Sequence, residues 1–172
     1  MTTSLVTEVK QRSQLSGSFS LRSGRVSSTY FDKYQFEADP YLLRRVAEAL
    51  AELVPSGTEI VAGLELGGIP LVAVLAQVTG LPAAFVRKET KTYGTCRYAE
   101  GAAFTGKRLV LVEDVVSSGG ALLYALSLPR GDGLEPIAAL CVVDRQTGGR
   151  EALAEAGLPL LSVFTTEQLE NA

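Results

Sequence analysis

LVLVEDVVSSGG, residues 109–120, joins an apolar run to two carboxylates and then to a turn of small and hydroxyl-bearing residues. A Val- and Leu-rich run bounded by turn residues predicts a strand buried on both faces of a parallel sheet. Gly119, Gly120 and the ALLYAL that follows predict a loop opening a helix. Free backbone N–H groups and the positive end of the helix dipole make such an N-terminus attractive to phosphate. Ser117 and Ser118 add hydroxyl donors without blocking close approach. Glu113 and Asp114, just ahead of the loop, are placed to accept hydrogen bonds from vicinal ribose hydroxyls. The segment as a whole predicts a ribose 5-phosphate cradle. The acidic pair alone says less, because such residues at strand ends elsewhere hold Mg2+, accept a phosphoryl group or cap a loop.

The chain has 172 residues, 47% of them hydrophobic, which suits one sizeable core and leaves no room for two ordinary enzyme domains, so a single domain over 1–172 is expected. No apolar run is long enough to span a membrane, and MTTSLVTEVKQRSQ lacks the apolar centre of a secretion signal, so a cytoplasmic protein is expected. Cys96 and Cys141 are the only cysteines and histidine is absent, which argues against a disulfide framework and a zinc site; Cys141, within AALCVVD, is expected to fill core space. A net charge of -3 gives no reason to expect nucleic acid as a partner. The basic residues Arg87, Lys88, Lys91 and Arg97 instead gather in one short segment whose only acid is Glu89, as a small polyanion would require.

Strand-like and helix-like segments alternate, predicting an α/β domain with a mostly parallel central sheet flanked by helices. Residues 5–14 suggest a short opening helix, and FSLRSG with SSTYFD an extended N-terminal element broken at Gly24. Asp39-Pro40 supplies an N-cap and a first-turn proline for an amphipathic helix carrying Leu42, Leu43, Val46, Ala49, Leu50 and Leu53. EIVAGLE, AAFVRKE, RLVLVED and PIAALCVVDRQ are expected strands, GGIPLVAVLAQVTG a loop and helix, and REALAEAG with the final turn helical. Polar or Gly-rich punctuation follows four strands, near 63–68, 87–91, 113–120 and 144–149. Ligands of open α/β sheets bind outside the carboxyl ends of strands, so these four segments should converge.

Five stretches, in order, resemble the orotate branch of the type I phosphoribosyltransferases: FSLRSGRVSSTYFD (19–32, with its neighbours the expected N-terminal hood, 1–36), GLELGGIPL (63–71), VRKETKTYGTCRYAEG (86–101), LVLVEDVVSSGG and VVDRQTGG (142–149). The resemblance implies the type I phosphoribosyltransferase fold and transfer of the phosphoribosyl group of Mg-bound phosphoribosyl pyrophosphate (PRPP) to orotate N1, giving orotidine 5′-monophosphate and pyrophosphate for pyrimidine biosynthesis. It implies Lys91, Glu113 and Asp114 as catalytic groups, with Mg2+ held by PRPP and water rather than by a protein cage. PRPP contacts are implied for Arg22, Gly67, Arg87, Lys88, Lys91, Tyr93, Glu113, Asp114, Val115, Val116, Ser117, Ser118, Gly119, Gly120 and Ala121. Orotate contacts are implied for Ser117, Arg145, Tyr30 and Phe31, with the guanidinium of Arg145 matching the orotate carboxylate as a fork. Residues 88–106 correspond to a mobile catalytic loop that completes the neighbouring site of a homodimer.

Three positions depart from the commoner family pattern: Tyr93 stands where many members have His, Arg22 where Lys is frequent, and Gly67 where some place a pyrophosphate-binding lysine. Backbone N–H groups of residues 66–68 are the donors left at the last of these. The PRPP motif does not choose the base, so a different nucleobase phosphoribosyltransferase and a non-enzymatic PRPP-sensing regulator are the alternatives. Arg145 and the N-terminal segment argue against the first, the intact basic loop against the second.

Overall fold

The computed structural model describes residues 4–20, 24, 26–88, 98–127 and 134–172. Arg22, Lys91, Tyr93, Cys96 and Arg97 lie outside them. Helix α1 (Leu5–Ser13) begins at Ser4, whose hydroxyl accepts from the Thr7 N–H, and leads into an antiparallel pair, β1 (Gln14–Ser20) and β2 (Val26–Phe31). A single turn, α2 (Tyr34–Glu37), follows, anchored by the fully buried Phe36. Asp39 then caps α3 (Pro40–Ala51) by accepting from the Tyr41 and Leu42 N–H groups, with Pro40 in the first turn as expected.

The main sheet has the order β5-β4-β3-β6-β7-β8: β3 (Ile60–Leu64), β4 (Ala83–Val86), β5 (Ala99–Gly101), β6 (Lys107–Val116), β7 (Leu134–Asp144) and β8 (Leu160–Thr165). All pairings are parallel except β4 with β5. Strand alternation divides the core in two. Val61, Val110, Val112, Leu140 and Val142 face α3 and α4 (Gly68–Thr79). Ile60, Ala62, Leu109, Leu111, Ala139 and Cys141 face α5 (Gly120–Ser127) and α6 (Gly149–Glu155). Cys141 is fully buried, and burial pushes its thiol pKa up, as suits a core filler.

Three elements are not anticipated from the sequence. LLSVFT, for which the sequence predicts no element, is the edge strand β8, ahead of the expected helical last turn, the short α7 (Thr166–Glu170). The three-residue β5 and the one-turn α2 are too short to carry a hydrophobic period.

Candidate active site

Neighbours β3 and β6 connect onward in opposite directions, β3 through α4 to β4 and β6 through α5 to β7, and the two helices lie on opposite faces. At such a reversal the carboxyl ends of the strands open a crevice. A cavity of about 820 Å³ occupies it, lined by Leu64, Glu65 and Leu66 after β3, Val86, Arg87 and Lys88 after β4, and Glu113 with Val115–Leu122 running from β6 into α5. That volume suits a phosphorylated sugar carrying further groups. The turn at Gly119 requires a left-handed backbone, φ 74°, which glycine adopts without Cβ strain.

The cavity floor is a cluster of acids around one base. Asp114 is fully buried at the end of β6, and the Lys33 ammonium, just ahead of α2, lies 2.6 Å from its Oδ2. Burial opposes the charge on Lys33, but the hydrogen bond and charge of Asp114, with Glu113 behind it, outweigh that and raise the lysine pKa. Glu113 is pushed up to about 9, by burial first and then by Asp114 beside it. Glu37, one helical turn beyond Lys33, is pushed up to about 8 by burial and by the same Asp114. Among the described residues neither oxygen of Glu37 has a hydrogen bond of ordinary geometry, and a carboxyl so enclosed beside another acid retains its proton at neutral pH. Gly67 completes the corner, since a Cβ there would lie 1.6 Å from Asp114 Oδ2.

The opposite wall is basic. The backbone N–H of Arg87 donates to the Tyr98 carbonyl at 2.7 Å and that of Lys88 to Glu65 Oε1 at 2.5 Å, fixing the chain as it leaves β4. Arg87 Nε is buried with no hydrogen-bond partner among the described residues, a donor that an anion in the cavity would satisfy.

At the end of β7, Asp144 is buried and is held by Arg150, not by the adjacent Arg145: Arg150 Nε donates to Asp144 Oδ2 at 2.8 Å, and its other nitrogens reach the Leu160 carbonyl and Ser162. Arg145 is exposed, its backbone N–H donates to the Val116 carbonyl at 2.8 Å, and its guanidinium sits 5.8 Å from the Phe31 ring centroid. Successive strand residues face opposite ways, and Tyr30 accordingly packs on Phe19, ring centroids 5.5 Å apart, while Phe31 packs on the core and Arg145.

Of the residues the sequence pointed to, Arg87, Lys88, Glu113 and Val115–Ala121 line the cavity. Asp114 and Gly67 meet at its floor. Arg145 and Phe31 pair beside the loop, and Tyr30 turns to Phe19. Arg22, Lys91 and Tyr93 are outside the described residues. Sequence reasoning missed Lys33, Glu37, Glu65 and Arg150. Each is a charged residue set among apolar or small neighbours or in a mixed stretch, and its contacts (Lys33 to Asp114, Glu65 to Lys88, Arg150 to Asp144, Glu37 beside Asp114) lie outside its own element, which no local pattern signals.

Residues 34–156 match the family model described as phosphoribosyl transferase domain. The chain is 44% identical over 168 residues to an orotate phosphoribosyltransferase of a Nocardioides species, covering 98% of this chain and 94% of the relative. Its fold is similar to the crystal structure of Mycobacterium tuberculosis orotate phosphoribosyltransferase with inorganic phosphate, TM-score 0.85 at 29% identity, covering 96% of each chain. The same enzyme in complex with PRPP gives TM-score 0.82 at 28% identity and 96% coverage of each chain.

Proposed function

The chain belongs to the phosphoribosyl transferase domain family, and from that premise we propose that it works as an orotate phosphoribosyltransferase, joining orotate N1 to C1 of the PRPP ribose with release of pyrophosphate. One observation carries the choice of base: Asp144 is occupied by Arg150, so Arg145 stands beside the phosphate loop with Phe31 under it and no acid paired to it among the described residues. A planar ring bearing a carboxylate fits that pair, the ring along the aromatic and the carboxylate on the guanidinium fork.

Positioning and electrostatics carry the reaction, because positive charge grows on the ribose while negative charge leaves with pyrophosphate. The loop from Val115 to Ala121 takes the 5-phosphate at the start of α5. Glu113, which lines the cavity, takes the ribose hydroxyls and, with its raised pKa, can donate as well as accept, while Asp114, the second ribose contact that the family pattern implies, lies buried behind it. Arg87 and Lys88 face the diphosphate, and Lys91 closes over it with the 88–106 loop, as the family pattern implies; Tyr93 and Arg22 belong to the same contacts. Ser117 borders the base from the phosphate loop and Phe31 from the hood, residues 1–36 of one domain spanning 1–172, whereas Tyr30, the other family position for the base, faces Phe19.

Among the described residues no group of three or more metal-ligating side chains is gathered. The acids at the floor are engaged with Lys33 or protonated, a donor set that fits Mg2+ arriving on substrate oxygens with its waters, beside Glu113. When bound, the ion neutralises diphosphate charge. We further propose a homodimer, each 88–106 loop completing the partner's site, and a cytoplasmic location. No helix of the described residues is long and apolar enough to cross a membrane.

The reading is tested by incubating the protein with Mg-PRPP and orotate and separating the products. Orotidine 5′-monophosphate and pyrophosphate are expected in equal amounts, and neither product would overturn it.

A further inference from the structure

We propose that Lys33 is a further substrate-binding residue, whose ammonium takes the diphosphate end of PRPP at the corner formed by Gly67 and Asp114. The inference rests on the PRPP reading of the cavity and adds a residue from outside the phosphate loop and the basic wall.

The geometry has three parts. First, position 67 has no room for a side chain, because Asp114 Oδ2 occupies the space where its Cβ would project. The start of α4 therefore presents only backbone to a ligand there. Second, the Lys33 ammonium lies 2.6 Å from that same oxygen, so it stands within a side chain's length of position 67 and supplies that corner with a cation from the hood side. Third, Lys33 is itself on the cavity wall and half-buried, whereas Asp114 is sealed beneath it. An ammonium has three donors. The ammonium pairs with Asp114 Oδ2 and faces the Tyr34 ring, 5.3 Å from its centroid, and no other ion pair or hydrogen bond engages it among the described residues.

Placement decides which end of the substrate this is. The 5-phosphate belongs to the loop ending at α5, and the ribose hydroxyls to Glu113 and Asp114. The corner at Gly67 lies on the β3 side of those carboxylates, and Arg87 and Lys88 stand one strand further on, at β4. Lys33 and the β4 cations thus bracket the space left for the leaving group. Pinned by Asp114 in the free protein, Lys33 forfeits little side-chain freedom when the anion arrives, which is the condition for a preorganised contact.

A purely structural Lys33 would do no more than neutralise Asp114. Lys33→Gln distinguishes the two, since it keeps a hydrogen-bond donor toward Asp114 and removes the charge; Lys33→Arg restores charge. Binding of pyrophosphate with Mg2+ and, separately, of ribose 5-phosphate is measured by titration calorimetry on wild type and both variants, with thermal unfolding to establish that each is folded. The expected result is a loss of roughly ten- to a hundredfold in pyrophosphate affinity in Lys33→Gln, a ribose 5-phosphate affinity within about threefold of wild type, and partial recovery of pyrophosphate binding in Lys33→Arg. Equal losses for both ligands, or no loss for either, would overturn the proposal. If Lys33→Gln does not fold, the uncharged Lys33→Met is measured in its place: a lowered pyrophosphate affinity with ribose 5-phosphate unchanged supports the contact, and no change in either overturns it. Calorimetry needs no turnover, so a wild type that binds both ligands but fails to convert orotate would refute the orotate assignment without touching Lys33.

Discussion

Arg150 places both Nε and a terminal guanidinium nitrogen 2.8 Å from Asp144 Oδ2, while Asp144 Oδ1 accepts from the Gln146 N–H at 2.8 Å. Both oxygens of the buried aspartate are thus engaged from within its own loop and from α6, and Arg145 is released toward Phe31. Arg150→Ala leaves that carboxylate short of its main donor. A loss of about 1–3 kcal/mol is expected, or several degrees in thermal midpoint for a chain of this length. Orotate KM should rise as well, because Arg145 is then drawn to Asp144. An unchanged midpoint and KM would contradict this role for Arg150.

Arg145→Ala should act on the base alone. Loss of a charge-assisted contact to the orotate carboxylate is worth roughly 1.5–3 kcal/mol, an increase in orotate KM on the order of ten- to a hundredfold. PRPP KM should move little. Arg145→Lys should recover only part, since a point charge replaces a planar fork. Steady-state kinetics with each substrate varied in turn checks both statements.

Gly67→Ala inserts a methyl group whose carbon would fall 1.6 Å from Asp114 Oδ2. Asp114 must turn away, taking the ribose acceptor and the Lys33 contact with it. PRPP KM should rise at least tenfold, roughly 1.4 kcal/mol or more, with the orotate KM little affected. A variant with wild-type PRPP kinetics would show that the corner is not part of the site.

Glu37 links the site to pH. Its carboxyl titrates near 8 in the folded chain against the usual 4.5, chiefly through burial and then through Asp114. As pH rises past 4.5 the unfolded chain releases this proton while the folded chain keeps it until about 8. The unfolded state is favoured across that window, so stability falls with rising pH between those values and this contribution levels off above. Glu113, pushed up to about 9, acts in the same sense. Glu37→Gln removes one of the two contributions. Its thermal midpoint should therefore exceed that of wild type by more at pH 8 than at pH 5, and parallel curves would contradict the raised pKa.

The parts of this fold that could be read from sequence are those whose information is local. β3, β6 and β7 are near-continuous apolar runs because both faces of the sheet are covered, and Asp39-Pro40 marks the start of α3 through its own side chain and ring. β8 is an edge strand whose central residues are only half-buried, so LLSVFT gives a weaker signal. The site divides in the same way. The phosphate loop is one contiguous segment and declares itself. The Lys33–Asp114 pair spans the hood and β6, and depends on Phe36 anchoring α2 in the core. Asp144 and Arg145 are adjacent in sequence and suggest a salt bridge, yet the chain turns after β7 at Gly148, φ 95°, and brings Arg150 back instead.

Which base the site takes is decided by kcat/KM for orotate, uracil, adenine and hypoxanthine, each with saturating Mg-PRPP and with pyrophosphate release as the common readout. Turnover is expected with orotate and, for uracil, which lacks the carboxylate that Arg145 would hold, a kcat/KM lower by at least roughly a hundredfold; adenine and hypoxanthine should give no detectable product. Comparable values for orotate and uracil, or preference for a purine, would contradict the assignment of Arg145 and with it the choice of orotate.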